Sequence, residues 1–203
     1  MIEHAPWIGD RYRLGQGIDR QLIAIVGHSH YREAEDSEEF TVNVLKKLLA
    51  GRQKFAFFTQ IQSYFGFNDT KDFWHRVMFF NYLPECVGSK TERYKRGTKE
   101  QIQLAKVRFR RLLDKHKPDK VLVFSNASGK GWETFPETDE EVRGERLSRL
   151  GSSVFSKFTW GTYTTGKHTV YAYGLRHPQG ANKDEMKQAV KVVLDMKCGS
   201  TRT

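Results

Sequence analysis

QLIAIVGHSHY, residues 21 to 31, is the stretch of sequence that decides the fold. Its first six residues, Gln21 to Val26, are a short and almost continuous apolar run, which is typical of a strand buried on both faces of a parallel sheet. Gly27 ends the run, since glycine adopts turn conformations that other residues resist. The stretch therefore predicts a buried strand with polar groups directly after its carboxyl end.

Strand-like and helix-like segments alternate along the rest of the chain. Thr98 and Gln101 match a capping box at the start of a long helix, and the first dozen residues are expected to be an irregular lead-in. Predicted helices cover 38–49, 57–65, 98–116 and 137–150, with one capped by Asn68 or Asp69 that runs through Met78 and a last one capped by Asn182; predicted strands cover 120–124, 155–159 and 168–173. This alternation predicts an α/β fold, a three-layer α/β/α sandwich with a central, mostly parallel four-stranded sheet, in a single domain of residues 1–203.

Composition narrows the functional classes. Lys and Arg number 34 against 24 Asp and Glu, which gives a net charge of +10 and favours a polyanionic partner such as DNA. Cys86 and Cys198 are in neither a Cys-x-x-Cys pair nor metal-ligand spacing with His, so no metal and no cofactor are expected. Without a signal peptide or an apolar run of membrane-spanning length, we expect a cytoplasmic monomer with no membrane contact.

Ligands of open α/β sheets lie beyond the carboxyl ends of the strands, so the segments that follow the predicted strands are the first places to look for a site. The first holds two imidazoles, a hydroxyl and an aromatic ring, the second an amide, and the third a histidine in a Pro-stiffened turn. Gly27, His28, Ser29, His30, Tyr31, Asn126, His177, Pro178 and Gln179 are the candidates from these segments.

Asn81 lies in an apolar context, between Phe80 and Tyr82. A buried amide needs hydrogen-bond partners, and it can also read the edge of a base that has left the stack, because it offers donors and an acceptor. Glu85 follows four residues later and is a possible general base.

The order and spacing of these motifs, from Gln21 to His177, resemble the uracil-DNA glycosylase superfamily. In that family a first strand ends in a Gly-x-Asp-Pro-Tyr or Gly-x-Asn-Pro-Gly motif, a central Asn reads the base, and a late His-Pro-Ser loop touches the flipped nucleotide. Residues 27–31, Asn81 and residues 177–180 match these positions. The resemblance implies a DNA glycosylase that hydrolyses an N-glycosidic bond and leaves an abasic site, with His177 stabilising the departing base.

Ser29 departs from the family pattern, since it stands where the family has the Asp or Asn that positions water. His30, His28, Asn81 or Glu85 can take over that role. A small residue here also leaves room for a larger base. Similar bacterial defence glycosylases act on hypermodified phage DNA, including glucosylated hydroxymethylcytosine, so a modified base is the expected substrate.

Basic side chains near the site are expected to grip the backbone of double- or single-stranded DNA. Two alternatives stay open: a non-catalytic nucleic-acid-binding module of the same fold, and a hydrolase of nucleotides or nucleosides. The candidate DNA-binding residues are Arg32, Lys90, Arg93, Lys95, Arg96 and Arg176.

Overall fold

A six-stranded sheet lies at the centre of the structure, a computed structural model that describes residues 2–31, 36–89, 96–126, 135–139 and 159–196. The sheet has the strand order β1-β3-β2-β4-β6-β5. The central strands β3, β2, β4 and β6 run parallel, whereas β1 and β5 pair antiparallel at the two edges. The mostly parallel sheet is confirmed, but it has six strands and not the expected four. The strands are β1 (Trp7–Ile8), β2 (Ile23–Gly27), β3 (Val77–Asn81), β4 (Lys120–Asn126), β5 (Thr159–Thr165) and β6 (His168–Arg176).

Helices cover both faces of this sheet, as expected for three layers. Alternate residues of the parallel strands point to opposite faces, so each strand contributes to two cores. One core, with Ile23 and Ile25 of β2, is closed by α2, α3, α4 and α6; the other, with Ala24 and Val26, is closed by α1 and α5. The helices are α1 (Asp10–Arg13), α2 (Phe40–Leu49), α3 (Ala56–Tyr64), α4 (Thr70–His75), α5 (Lys99–His116) and α6 (Lys183–Asp195).

Most predicted helix starts are confirmed. Thr98 and Gln101 form the expected capping box of α5, Asp69 accepts a hydrogen bond from the Asp72 N–H at the start of α4, and Asn182 accepts two N–H groups at the start of α6. Helices α2 and α3 begin and end within two residues of their predicted bounds. No helix in the described part of the chain combines the length and apolarity needed to cross a bilayer.

Two predictions in the first half of the chain were wrong. The lead-in is not irregular, because Trp7–Ile8 pairs with β3 and a short helix follows it. The helix that starts after Asp69 ends at His75, and Val77 and Met78 belong to β3. All five residues of β3 are buried, so the strand has no alternation of apolar and polar residues that would distinguish it from a helix.

The C-terminal strands extend beyond their predicted ends. Among the described residues the first is Thr159–Thr165, which shares Thr159 with the predicted 155–159, and β6 begins at His168 as predicted but extends to Arg176. They form an antiparallel hairpin whose turn contains Gly166 at a φ of 64°. Of the predicted helix at 137–150, residues 137–139 are not helical and the remainder lies outside the described residues, as do residues 155–158.

Candidate active site

The four parallel strands bring their carboxyl ends to one edge of the sheet. Gly27, the last residue of β2, is in register with Asn81, the last residue of β3, and Asn126 of β4 is in register with Arg176 of β6. His177 follows Arg176 directly. This edge therefore gathers residues from four separate segments of the chain, as the topology of an open parallel sheet requires.

Gly27 lies so close to its neighbours that only a hydrogen fits at its side-chain position. A Cβ atom there would be 2.3 Å from Oδ1 of Asn81 and 3.3 Å from Cζ of Phe57. Phe57 is the second residue of α3, and its ring centroid lies 5.4 Å from that of His177. Gly27, Phe57, Asn81 and His177 thus form one group, which we call the edge cluster.

Asn81 is the buried polar member of the edge cluster, with 4% of its surface exposed. Its backbone carbonyl accepts a hydrogen bond from Nη1 of Arg108 at 2.8 Å. No hydrogen bond joins its side-chain amide to another described residue, and the amide is not among the fully buried polar atoms that lack a partner, so solvent still reaches it. Its donors and acceptor are therefore available to a ligand at the sheet edge.

His177 has its tautomer set by the backbone. Its Nδ1 accepts a hydrogen bond from the Gln179 N–H at 3.1 Å, so in the neutral ring the proton is on Nε2. Burial lowers the pKa of His177, and the nearby His28 lowers it further. The ring is therefore neutral near pH 7 and presents Nε2–H as a donor.

Three backbone hydrogen bonds join the loop after β2 to the loop after β3. The carbonyls of Gly27, His28 and His30 accept the N–H groups of Tyr82 (3.0 Å), Leu83 (2.9 Å) and Val87 (2.9 Å). This pairing extends the strands beyond the edge of the sheet and fixes the position of His28 next to the edge cluster.

The contacts of His30 and Glu85 lead away from the edge cluster. Nε2 of His30 hydrogen-bonds to Oγ1 of Thr41 at 3.0 Å, and its ring packs beside Phe40. Burial, reinforced by His4, lowers the pKa of His30 to about 3. Glu85 accepts a hydrogen bond from Nε2 of Gln101 at 2.8 Å, near the start of α5.

The other predicted residues are distributed around this edge. Ser29 and Tyr31 are half-buried in the loop after β2, Pro178 is buried, Gln179 is exposed, and Arg176 is half-buried. Arg96 is exposed before α5. Arg32, Lys90, Arg93 and Lys95 lie outside the described residues.

Phe57 and Arg108 are site residues that the sequence analysis missed. Phe57 belongs to the run FAFF, where nothing distinguishes a ligand-facing ring from core aromatics. Arg108 carried a signal, because Ala105, Phe109 and Leu112 place it on the buried face of α5. Burial lowers the pKa of its guanidinium to about 10, so it is charged, and it forms an ion pair with Glu3 at 3.3 Å.

No protein-family model matches the chain, and no curated protein matches its sequence. The functional assignment therefore depends on the chemistry of the edge cluster: an aromatic face, an unpaired amide and a neutral imidazole N–H.

Proposed function

We propose that this protein is a DNA glycosylase that hydrolyses the N-glycosidic bond of a damaged or modified base and leaves an abasic site in cytoplasmic DNA. The observation that supports it is the unpaired Asn81 amide beside the Phe57 ring and His177 at the carboxyl edge of a parallel sheet. An amide, a ring face and a neutral N–H donor are together what an everted base requires. The order of Gly27, Asn81 and His177 along the chain also resembles that of the uracil-DNA glycosylase superfamily.

The target nucleotide leaves the DNA stack and places its base on the ring of Phe57. The Asn81 amide then hydrogen-bonds to the edge of the base. His177 donates from Nε2 to the negative charge that develops on the base as the bond between C1′ and the base nitrogen breaks. Water forms the new bond to C1′ and releases a proton to solvent, and the departing base anion takes up a proton in its place, so the reaction consumes one water molecule.

His28 is the residue we assign to the attacking water. It lies close enough to His177 to lower the pKa of that residue. His30 is a weak proton acceptor, because burial and the nearby His4 lower its pKa to about 3. Glu85 bonds to Gln101 near the start of α5, away from His177. We therefore assign His30 and Glu85 to holding the loops in place.

The substrate we expect is a modified base. Ser29 is a small, half-buried residue at the position that the resemblance assigns to the water-positioning acid, and we infer that its small size leaves room for a base substituent. A hypermodified phage base such as glucosylated hydroxymethylcytosine fits this expectation, in a defence role.

His177→Ala and Asn81→Ala test the assignment. Each variant removes one hydrogen bond made to the departing base, so we expect turnover to fall on the order of a hundredfold. The measurement is cleavage at abasic sites in DNA that carries a panel of modified bases, with mass spectrometry of the released base. His168→Ala and Asn43→Ala are matched controls, because His168 bonds to the Pro118 carbonyl and Asn43 is exposed on α2. Full activity in both site variants would refute the assignment.

A non-catalytic binder of modified DNA is the second candidate. Its support is that none of the four residues of the edge cluster is a carboxylate and that Ser29 replaces the family's acid. A binder would retain affinity for modified DNA, lose it in Asn81→Ala and Phe57→Ala, and release no base from any substrate.

A further inference from the structure

A second cluster of reactive side chains lies beside the loop that follows β2. His4 comes from the N-terminal segment, Asp36 precedes α2 and Cys86 follows β3. One nitrogen, oxygen or sulfur atom of each lies within 4.8 Å of the others. We propose that His4, Asp36 and Cys86, named here the His4 cluster, bind a divalent transition-metal ion, with Zn²⁺ as the preferred ion.

The mixture of donor atoms favours zinc over the common hard cations. Mg²⁺ and Ca²⁺ take oxygen ligands, whereas an imidazole nitrogen, a thiolate and a carboxylate oxygen together suit Zn²⁺. Three protein ligands leave the fourth tetrahedral position for a water molecule. The edge cluster holds no comparable set, so the His4 cluster is the one group of this kind among the described residues.

The fold holds the three segments together through the backbone. The His4 N–H donates to the Pro84 carbonyl at 2.7 Å, and the Ala5 N–H donates to the Glu38 carbonyl at 2.7 Å. The Cys86 N–H donates to Oδ2 of Asp36 at 3.0 Å. Little further ordering is therefore needed for the three side chains to meet at one ion.

The ring of His4 is fixed and incompletely satisfied. It is 1% exposed and stacks on Phe40 with centroids 5.4 Å apart. Its Nδ1 has no hydrogen-bond partner among the described residues. Nε2, on the other side of the ring, faces Asp36 and is the nitrogen that would bind the ion.

Metal binding would change the His4 cluster in a defined way. Without the ion, Nε2 of His4 and Oδ1 of Asp36 share a hydrogen bond of 2.5 Å. Tetrahedral ligands of zinc are farther apart, so this pair must separate by roughly 1 Å. The Cys86 thiol loses its proton to the buffer as the sulfur–metal bond forms, and no electron transfer is involved.

The spacing of the ligands explains why no metal was expected from the sequence. His4 and Asp36 are 32 residues apart, and Asp36 and Cys86 are 50 apart, so no local motif forms. The ion would join the N-terminal segment to the loops after β2 and β3, next to His30, whose ring centroid lies 5.6 Å from that of His4. It would thus hold those loops in place without touching the base.

Cobalt substitution tests the site, since Co²⁺ occupies zinc sites and reports its ligands by absorption. We expect the full chain, reduced with a phosphine, to bind one Co²⁺ with a thiolate-to-cobalt charge-transfer band that Zn²⁺ abolishes. Cys86→Ser should lose the band, and His4→Gln should weaken Co²⁺ binding, while circular dichroism shows both to be folded. Zn²⁺ should raise the melting temperature of the unmodified chain and not that of Cys86→Ser.

Cys198→Ser is the matched control, because it removes the other cysteine and should keep the band. Absence of the band in the unmodified chain would show that the His4 cluster is a hydrogen-bond network only. A band that survives Cys86→Ser and disappears in Cys198→Ser would also overturn the proposal. Neither result bears on base excision, which is measured separately.

Discussion

The contact between Gly27 and Asn81 sets the geometry of the edge cluster. The Asn81 amide oxygen can lie against the end of β2 only because position 27 has no side chain, since a Cβ would be 2.3 Å from that oxygen. The absence of a side chain at Gly27 thus sets the position of the amide that we propose reads the base.

Gly27→Ala is expected to displace the Asn81 amide. The added methyl group should cost about 2 kcal/mol of stability through overpacking, and a displacement of the order of 1 Å should reduce turnover by about a hundredfold. Base release and urea unfolding measure the two effects.

The double variant Gly27→Ala with Asn81→Ala provides the control. Removing the amide eliminates the overlap, so the double variant should be more stable than the sum of the two single changes predicts. Additive losses of stability would show that the methyl group meets something other than Asn81.

His30 should make the stability of the protein depend on pH. Its folded-state pKa is about 3, against about 6.5 in an unfolded chain. The unfolded state therefore takes up the proton first as the pH falls, and the stability contributed by the neutral ring is lost between these two values. From about pH 7.5 to about pH 5 the free energy of unfolding should fall by about 2 kcal/mol from this residue.

Urea unfolding of the unmodified chain and of His30→Gln at both pH values isolates this contribution. Glutamine retains a hydrogen-bonding group for Thr41 but does not titrate, so its loss of stability should be smaller by that amount. His116 and His177 also have lowered pKa values and contribute equally in both proteins. Equal losses in the two proteins would show that His30 is not the titrating group.

Individual residues of the candidate site could be predicted from the sequence where a local pattern distinguishes them. Gly27 ends an apolar strand, and Asn81 is an amide within an apolar run, so both could be identified from the sequence. Phe57 could not, because a ring that faces a ligand and a ring that faces the core have the same sequence signal. Whether Phe57 faces the edge depends on where α3 begins relative to β2, which is set by tertiary packing.

Helices were more predictable than strands at the scale of elements. The caps Thr98, Asp69 and Asn182 are local signals, and all three begin helices. β3 lacks such a signal, because its five residues are all buried and follow a helix after a single residue. Its identity as a strand comes from pairing with β2 and β1, which no local pattern contains.

Helix α6 depends on β4 for its C-terminal end. Nζ of Lys120, which is fully buried, donates to the carbonyls of Val193 (2.6 Å), Leu194 (2.8 Å) and Met196 (2.7 Å). The last carbonyls of a helix have no partner within the helix and carry partial negative charge. A single ammonium group satisfies three such acceptors here.

Lys120→Met should therefore destabilise the protein by about 3 kcal/mol, since buried carbonyls are left without partners. Hydrogen exchange of residues 193–196 should accelerate more than that of α5. Lys115→Met, on the exposed face of α5, is the matched control and should change stability by less than about 0.5 kcal/mol. A loss spread evenly over the whole chain would contradict a specific role at the end of α6.

At the scale of the whole molecule, the parallel sheet converts distant sequence positions into one site. Gly27, Asn81, Asn126 and Arg176 each end a parallel strand. Each of these motifs is weak in isolation. They are informative together because the parallel strands place all of them at the same edge of the sheet. The same topology brings His4, Asp36 and Cys86 together, which no motif in the sequence indicated.

The net charge of +10 leads to a last prediction about salt. The salt dependence of binding distinguishes a DNA enzyme from a hydrolase of free nucleosides. Each phosphate that the protein neutralises releases counterions, so the logarithm of the affinity for duplex DNA should fall with the logarithm of the salt concentration by about 0.9 per phosphate. Arg96→Ala should reduce that slope by about 0.9 if this exposed side chain contacts a phosphate. Fluorescence anisotropy over a salt series measures both slopes, with Lys115→Ala as a basic residue at the opposite end of α5. Release of base from free nucleosides without any dependence on salt would favour the hydrolase instead, because an uncharged substrate has no counterions to release.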